Sequence, residues 1–306
     1  MPGDPNAVTF YAQRLKARYD IPGVAFFVNN STVLAPGAVA GADVAGVGES
    51  ELQPLATIDF AIGRCVAGRG DAIFVMGPHS ETVTSSITLD VAGVQIIGLK
   101  IGNKSPVVTI NGATDLFTIT AANCRISGLE MTIVTTDAAT ALVNVAAAKA
   151  RLDNIKMIPS ATSVNVVDCI TLASGANDCL IEDVDIRNTT VAVVSFLSIE
   201  AAVARLTVRR FRAFGDTTTG GIIDGATATQ LLLEDVTVGT VGTTQPAATL
   251  DSNPTGLVIR SNFAGTSTTL ANNGALGTGV RMFDVKVLEE TNGSAQGALI
   301  PAVDAD

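Results

Sequence analysis

Apolar residues along this chain recur in eight short words of the form Φ-x-Φ-x-x-Φ-x-Φ, about every 27 residues. The words open at Val94, Cys124, Ala150, Cys179, Leu206, Leu231, Leu257 and Val280. Their third positions read Ile96, Ile126, Leu152, Ile181, Val208, Leu233, Ile259 and Met282. Their sixth positions read Leu99, Leu129, Ile155, Val184, Phe211, Val236, Asn262 and Val285. A fixed period of this length marks a solenoid, in which each repeat buries its apolar face only by stacking on its neighbours. Alternation within a word puts its first and third residues on one face. The two-residue gap then bends the chain, so that the sixth and eighth face inward again.

A further short strand recurs between words, as Phe117-Thr118-Ile119, Val143-Asn144-Val145, Ile170-Thr171-Leu172, Leu197-Ser198-Ile199 and Ala248-Thr249-Leu250. Two strands joined by a bend, with a third elsewhere in the coil, predict an all-β chain wound as a parallel β-helix of about eight coils. Coils stacked about 4.8 Å apart give a rod of roughly 34 Å. A leucine-rich repeat is excluded, because that fold needs Asn or Cys three residues after the last apolar position. The residues there are Lys104, Val134, Ser160, Thr189, Asp216, Val241, Ser267 and Glu290. Asn262 breaks the pattern in the seventh word, and the reading here is a local bulge that turns Phe263 inward.

Residues 1–50 do not fit the period and read as an N-terminal arm. Within it, Asn6 to Tyr19 predicts a short helix and Val24 to Val28 a strand, with an extended segment from Leu34 to Gly48. A capping helix is predicted over 54–67, with Ile58, Ala61, Ile62, Cys65 and Val66 on one face at helical spacing. Such a helix would cover the open end of the stacked sheet. Ala72 to Met76 predicts a buried strand, the helix carries repeats through 51–290, and 291–306 is left as a C-terminal tail.

Composition narrows the function. The net charge of −10 gives no clustered Lys and Arg for a nucleic-acid grip, so no nucleic-acid partner is expected. No apolar run reaches 18 residues and no secretory leader is visible, so no membrane partner is expected either. The four cysteines lack a C-x-x-C pair and read as small hydrophobes, and no cofactor or metal is expected. Trp is absent and both Tyr lie before the repeats, which removes the platforms on which sugars stack. Glu182-Asp183-x-Asp185 and Glu234-Asp235 form the best acidic cluster, with Arg209, Arg210 and Arg212 one coil between them. Acid pairs can serve hydrolysis or calcium binding, but here the reading is a ladder of cross-strand ion pairs and no catalytic residue. His79 is read as a turn or interface residue, and Arg69-Gly70-Asp71 as the turn from helix into buried strand rather than a displayed recognition tripeptide.

Three stretches carry a resemblance. Thr57-Ile58-Asp59-Phe60-Ala61-Ile62, the strand Ala72 to Met76 with Gly77 after it, and Ala92-Gly93-Val94-Gln95-Ile96-Ile97-Gly98 resemble the opening of pectate-lyase-like β-helices. More narrowly, residues 51–290 resemble β-helical proteins of tailed bacteriophages, which include trimeric capsid-stabilising (decoration or cement) proteins and tail spikes. The resemblance implies a right-handed β-helix. It carries no catalytic residue over, because the family's catalytic Arg and calcium-binding Asp clusters have no counterpart at matching positions. It also implies a homotrimer on the outer capsid surface of a virion, bridging subunits of the major capsid protein. Ile97, Leu180, Leu232 and Val258, read as outward apolar residues, are the candidate trimer interface. Arg14, Lys16, Arg18, Phe26 and Phe27 of the arm are the candidate capsid contact. The alternative is a tail-spike-like protein binding or cleaving host surface polysaccharide.

Overall fold

The words stack as rungs of a parallel β-solenoid of about seven turns, eight words bounding seven steps. The computed structural model describes residues 5–31, 38–100, 102–133, 139–159, 168–188, 193–241, 245–250, 254–266, 274–289 and 298–299. Third-position residues lie side by side in register: Ile96 beside Ile126, then Leu152, Ile181, Val208 and Leu233. The between-word strands form a separate parallel sheet of eight strands, running from Ile87–Leu89 to Gly274–Ala275. One apolar cluster fills the interior from Phe26 to Val287.

The bend inside seven of the eight words has a single backbone cause. Its fifth residue is left-handed in seven successive words: Gly128, Asn154, Asp183, Arg210, Asp235, Arg260 and Asp284, with φ from 46° to 73°. One left-handed residue turns the strand without breaking its pairing, so both halves aim apolar side chains at the same core. That conformation disfavours a Cβ by about 1–2 kcal/mol per residue, so the six non-glycine positions are held there by the pairing of their words with neighbouring rungs. In the first word, by contrast, Gln95–Leu99 runs straight. Leu99 therefore leaves the interior and joins an outer cluster with Ile97. Gly98 lets this rung approach the next: a Cβ there would lie 2.2 Å from the Gly128 carbonyl oxygen. Gly98→Ala is expected to cost about 1–3 kcal/mol through this overpacking, seen as a lower thermal midpoint; an unchanged midpoint would contradict the close approach.

The seventh word differs from its reading in sequence. Val258, not Ile259, lies between Leu233 and Met282, so the word opens at Gly256. No bulge is needed. Gly256 and Ser261 take the first and sixth inward slots, and Phe263 the eighth, fully buried beside Val238 and Val287. Two of the four inward side chains are not apolar, which hid the true register. The Ser261 hydroxyl satisfies itself there by accepting from Val236 N–H and donating to the Ile259 carbonyl.

The N-terminal end is closed by three pieces. Helix α1 (Pro5–Tyr19) lies on the outer face, strand β1 (Ala25–Val28) adds a rung, and helix α2 (Ile58–Ile62) plugs the interior. β1 pairs in parallel with β2 (Ala72–Met76). Its other edge bonds to the chain at Gly48 and Leu55. The predicted capping helix is thus only five residues long: Gly63 ends it, Cys65 is half-buried, and Val66 is 51% exposed. Thr57 caps it by accepting from Phe60 N–H, and Glu81 accepts from Ile58 N–H.

Candidate functional site

Outward positions of the words form columns along the solenoid, and the middle rungs carry a dense ion-pair ladder. Asp153 takes a bidentate pair from Arg125, at 2.7 Å twice, a bond from Ser127 Oγ at 2.7 Å, and Arg151 at 3.0 Å. Glu182 is 4% exposed and accepts from Arg151 at 2.6 Å, Arg209 at 2.8 Å and Arg210 at 3.0 Å. Arg210 also holds Asp183, and Arg260 holds both Glu234 and Asp235. Rungs spaced about 4.8 Å apart place opposite charges at bonding distance. Asp153 lies beside Glu182 and Arg125 beside Arg151, and these like-charged neighbours are bridged by the arginines reaching across to the acidic column. Of the ladder read in the sequence, the pairs of Arg209 and Arg210 with Glu182 and Asp183 form. Glu234 and Asp235 are held by Arg260 and Asp185 by Arg187 instead, and Arg125, Asp153 and Arg151 extend the ladder toward the N-terminal rungs.

That pairing sets the acidities. Arg210 holds the Asp183 carboxyl below the usual carboxylate range, and Arg260 does the same for Asp235. Burial would raise Asp153, but the bonds from Arg125 and Ser127 outweigh it and the group is lowered. A carboxylate locked in its ionised form by guanidinium is a poor general acid. A shallow hollow of about 240 Å3 lies over this region, lined by Asp183, Val184, Asp185, Arg210 and Arg212. Asp185 bonds to Arg187 at 3.1 Å.

Asp168 behaves oppositely. Burial pushes its pKa up to about 6, against a 2.5 Å hydrogen bond from Ser195 Oγ that lowers it. A folded-state pKa raised above the unfolded value near 3.9 stabilises the fold fully below that value, and the contribution is lost as pH rises through about 6. The lowered aspartates act the other way: their contribution holds above about 3.9 and is lost as pH falls through their folded values. Stability is therefore expected to peak between about pH 4 and 6. Asp168→Asn should remove up to about 3 kcal/mol of the decline toward pH 7, read from urea midpoints across that range. An undiminished decline in the variant would assign it elsewhere.

The other sequence candidates resolve one by one. Asp71 is fully buried and bonds to Val24 N–H, Val66 N–H and the Arg69 guanidinium, so the Arg69-Gly70-Asp71 tripeptide is a structural turn, as read. Buried His79 accepts from Asn30 N–H through Nδ1 and meets Glu81 through Nε2, tying β1 and α2 together. Cys124, Cys169 and Cys179 are buried and free; burial raises all three thiols, Cys179 to about 11. Among the described residues no group of three His, Cys, Asp or Glu side chains could hold a metal ion.

The proposed contact residues need correcting. Phe26 is buried in the interior, and Phe27 is buried beneath α1 with Phe74, Ile97 and Leu15, so neither reaches another protein. The arm docks on its own solenoid because Leu15, Ala12 and Tyr19 of α1 cover these apolar residues. Arg14 and Arg18 are exposed and Lys16 is half-buried. Ile97 is covered by α1, and Val258 faces the core through the register shift. Leu180 and Leu232 do stand outward and half-buried. Missed in the sequence were Leu257 (36% exposed), Ile259 and Phe283 (70% exposed) on the same face. The shifted register concealed the first two, and the fourth slot of the last word would have shown Phe283. Phe214, 48% exposed beside Gly239, was missed because it lies beyond the eighth slot.

The fold and this outer surface define a parallel β-solenoid protein with an internally neutralised charged face. Comparison with family models, curated proteins and solved structures gives no match for the chain.

Proposed function

We propose that this is a structural virion protein: a capsid decoration protein that forms trimers on the outer shell of a tailed phage and braces neighbouring major capsid subunits. The observation that carries the reading is the outer face itself. Its carboxylates at Asp153, Glu182, Asp183, Glu234 and Asp235 are all consumed by arginines of adjacent rungs, while apolar side chains remain exposed beside them. Such a face supports contact with protein rather than acid–base chemistry. The phage assignment rests on the resemblance over residues 51–290, and folds alone host many functions. The basic groups Arg14, Lys16 and Arg18 on the helix closing the N-terminal end are the proposed capsid contacts, without Phe26 and Phe27. Antibody raised against the protein and carried on gold is expected to label the capsid shell of particles made from the source genome. Particles without label would contradict the assignment.

A second reading, binding of host surface polysaccharide, has one observation in its favour. The exposed Phe214 lies two residues along the strand from Arg212, which lines the hollow together with Asp185. Gold label confined to the tail tip, with polysaccharide binding lost in Phe214→Ala, would support that reading instead.

A further inference from the structure

Two neighbouring outward columns run from the first rung of the solenoid to the last, and both are apolar toward their ends. At the N-terminal end Ala25 and Ala72 stand in one column, and Phe27, Phe74 and Ile97 in the other. Helix α1 lies over these three rungs, with Ala12, Leu15 and Tyr19 against them. Their spacing of three and four residues puts all three on one face of the helix. The ion-pair ladder occupies most of the middle of both columns. Beyond it the same columns turn apolar again, with Leu232 and Leu257 in the first and Ile259 and Phe283 in the second. Exposure there reaches 36% at Leu257 and 70% at Phe283, and no described helix lies on them.

We propose that this C-terminal patch binds an amphipathic helix of another protein, one with a carboxylate beside its apolar face; the proposal rests on the reading of the outer face as a protein contact. Three observations select that partner. The patch spans three rungs, about 10 Å along the axis, as does the surface under α1, and two turns of helix cover that length. Arg281 closes the first column beside Leu257, exposed and with no ion pair among the described residues. Glu234, the carboxylate next to Ile259, is held by Arg260, so Arg281 is left for an acid from outside. Asp284 stands past Phe283 at the bend, one word on from Arg260. A second copy is the wrong occupant. Its α1 carries Lys16 and Arg18 in the last turn and no acid in the first, and the apolar face of that helix is buried on its own solenoid. Two copies meeting across parallel patches would set Arg281 on Arg281.

Two synthetic helices of 15 residues, the length of α1, test this on the full chain. Both place leucines at the spacing of Ala12, Leu15 and Tyr19; one carries glutamates along the flanks of that face and the other lysines. Fluorescence anisotropy is expected to show the glutamate peptide binding tighter by about two- to fivefold, the scale of one exposed ion pair. Arg281→Glu should reverse that order. Phe283→Ser should weaken both peptides by about tenfold while the circular dichroism of the β-solenoid persists. Binding of neither peptide to the parent, or an order that Arg281→Glu leaves unchanged, would overturn the proposal. Self-association of the parent that is lost in Phe283→Ser would give the patch to a second copy and overturn it as well. Absence of gold label on particles bears on the capsid assignment alone, so the two claims can fall independently.

Discussion

Phe263→Ala is expected to destabilise the protein by about 3–5 kcal/mol, the cost of emptying a large fully buried aromatic site. The rung that opens at Gly256 has lost two apolar side chains, to Gly256 and Ser261, so Phe263 and Val258 fill the interior at that level. Neighbouring rungs cannot collapse into the gap, because their register is pinned by the parallel pairs above and below. Asn262→Ala, one residue earlier and facing outward, should change stability by no more than about 0.5 kcal/mol. Urea unfolding of the two variants reads the difference directly. The reverse order, with Asn262→Ala the costlier, would mean that Asn262 holds the inward slot.

Glu182→Gln is expected to cost about 2–3 kcal/mol. Removing one partner of a buried ion pair costs about 3–5 kcal/mol, and the arginines around Glu182 are 38–47% exposed, which screens part of that loss. The variant leaves Arg151, Arg209 and Arg210 facing one another without their shared carboxylate. Because the carboxylate is nearly buried, most of the effect should survive added salt. Asp185→Asn is the surface comparison, and its exposed pair with Arg187 should contribute no more than about 1 kcal/mol. Equal costs for the two substitutions would show that the ladder is an ordinary set of surface pairs.

The repeat made the fold legible because stacked rungs force the same slots inward each time: Ile126, Leu152, Ile181 and Val208 needed no tertiary knowledge. The ladder was legible in part, since Arg209 and Arg210 lie one period from Glu182 and Asp183 and meet them. Arg260 took Glu234 and Asp235, because the later word is shifted by one residue and brings that arginine beside them. What escaped was whatever departs from the repeat. Gly256 and Ser261 sit in inward slots without apolar side chains, so the seventh word was read one residue late, which turned Val258 outward and Leu257 inward. Helical spacing ran on to Val66, but Gly63 stopped the helix at Ile62. Burial of Phe27 and Ile97 under α1 is a long-range contact between an arm and an outer face, and no local pattern encodes it. Leu180 and Leu232 were read outward from the repeat alone, whereas Leu257 and Ile259 needed the corrected register.

The central claim is that this outer surface joins protein to protein, first of all to further copies of itself. Native mass spectrometry of the intact chain at micromolar concentration tests it most directly. The account predicts a dominant species of three times 31.2 kDa. A parent protein that flies only as a 31.2 kDa monomer would contradict it.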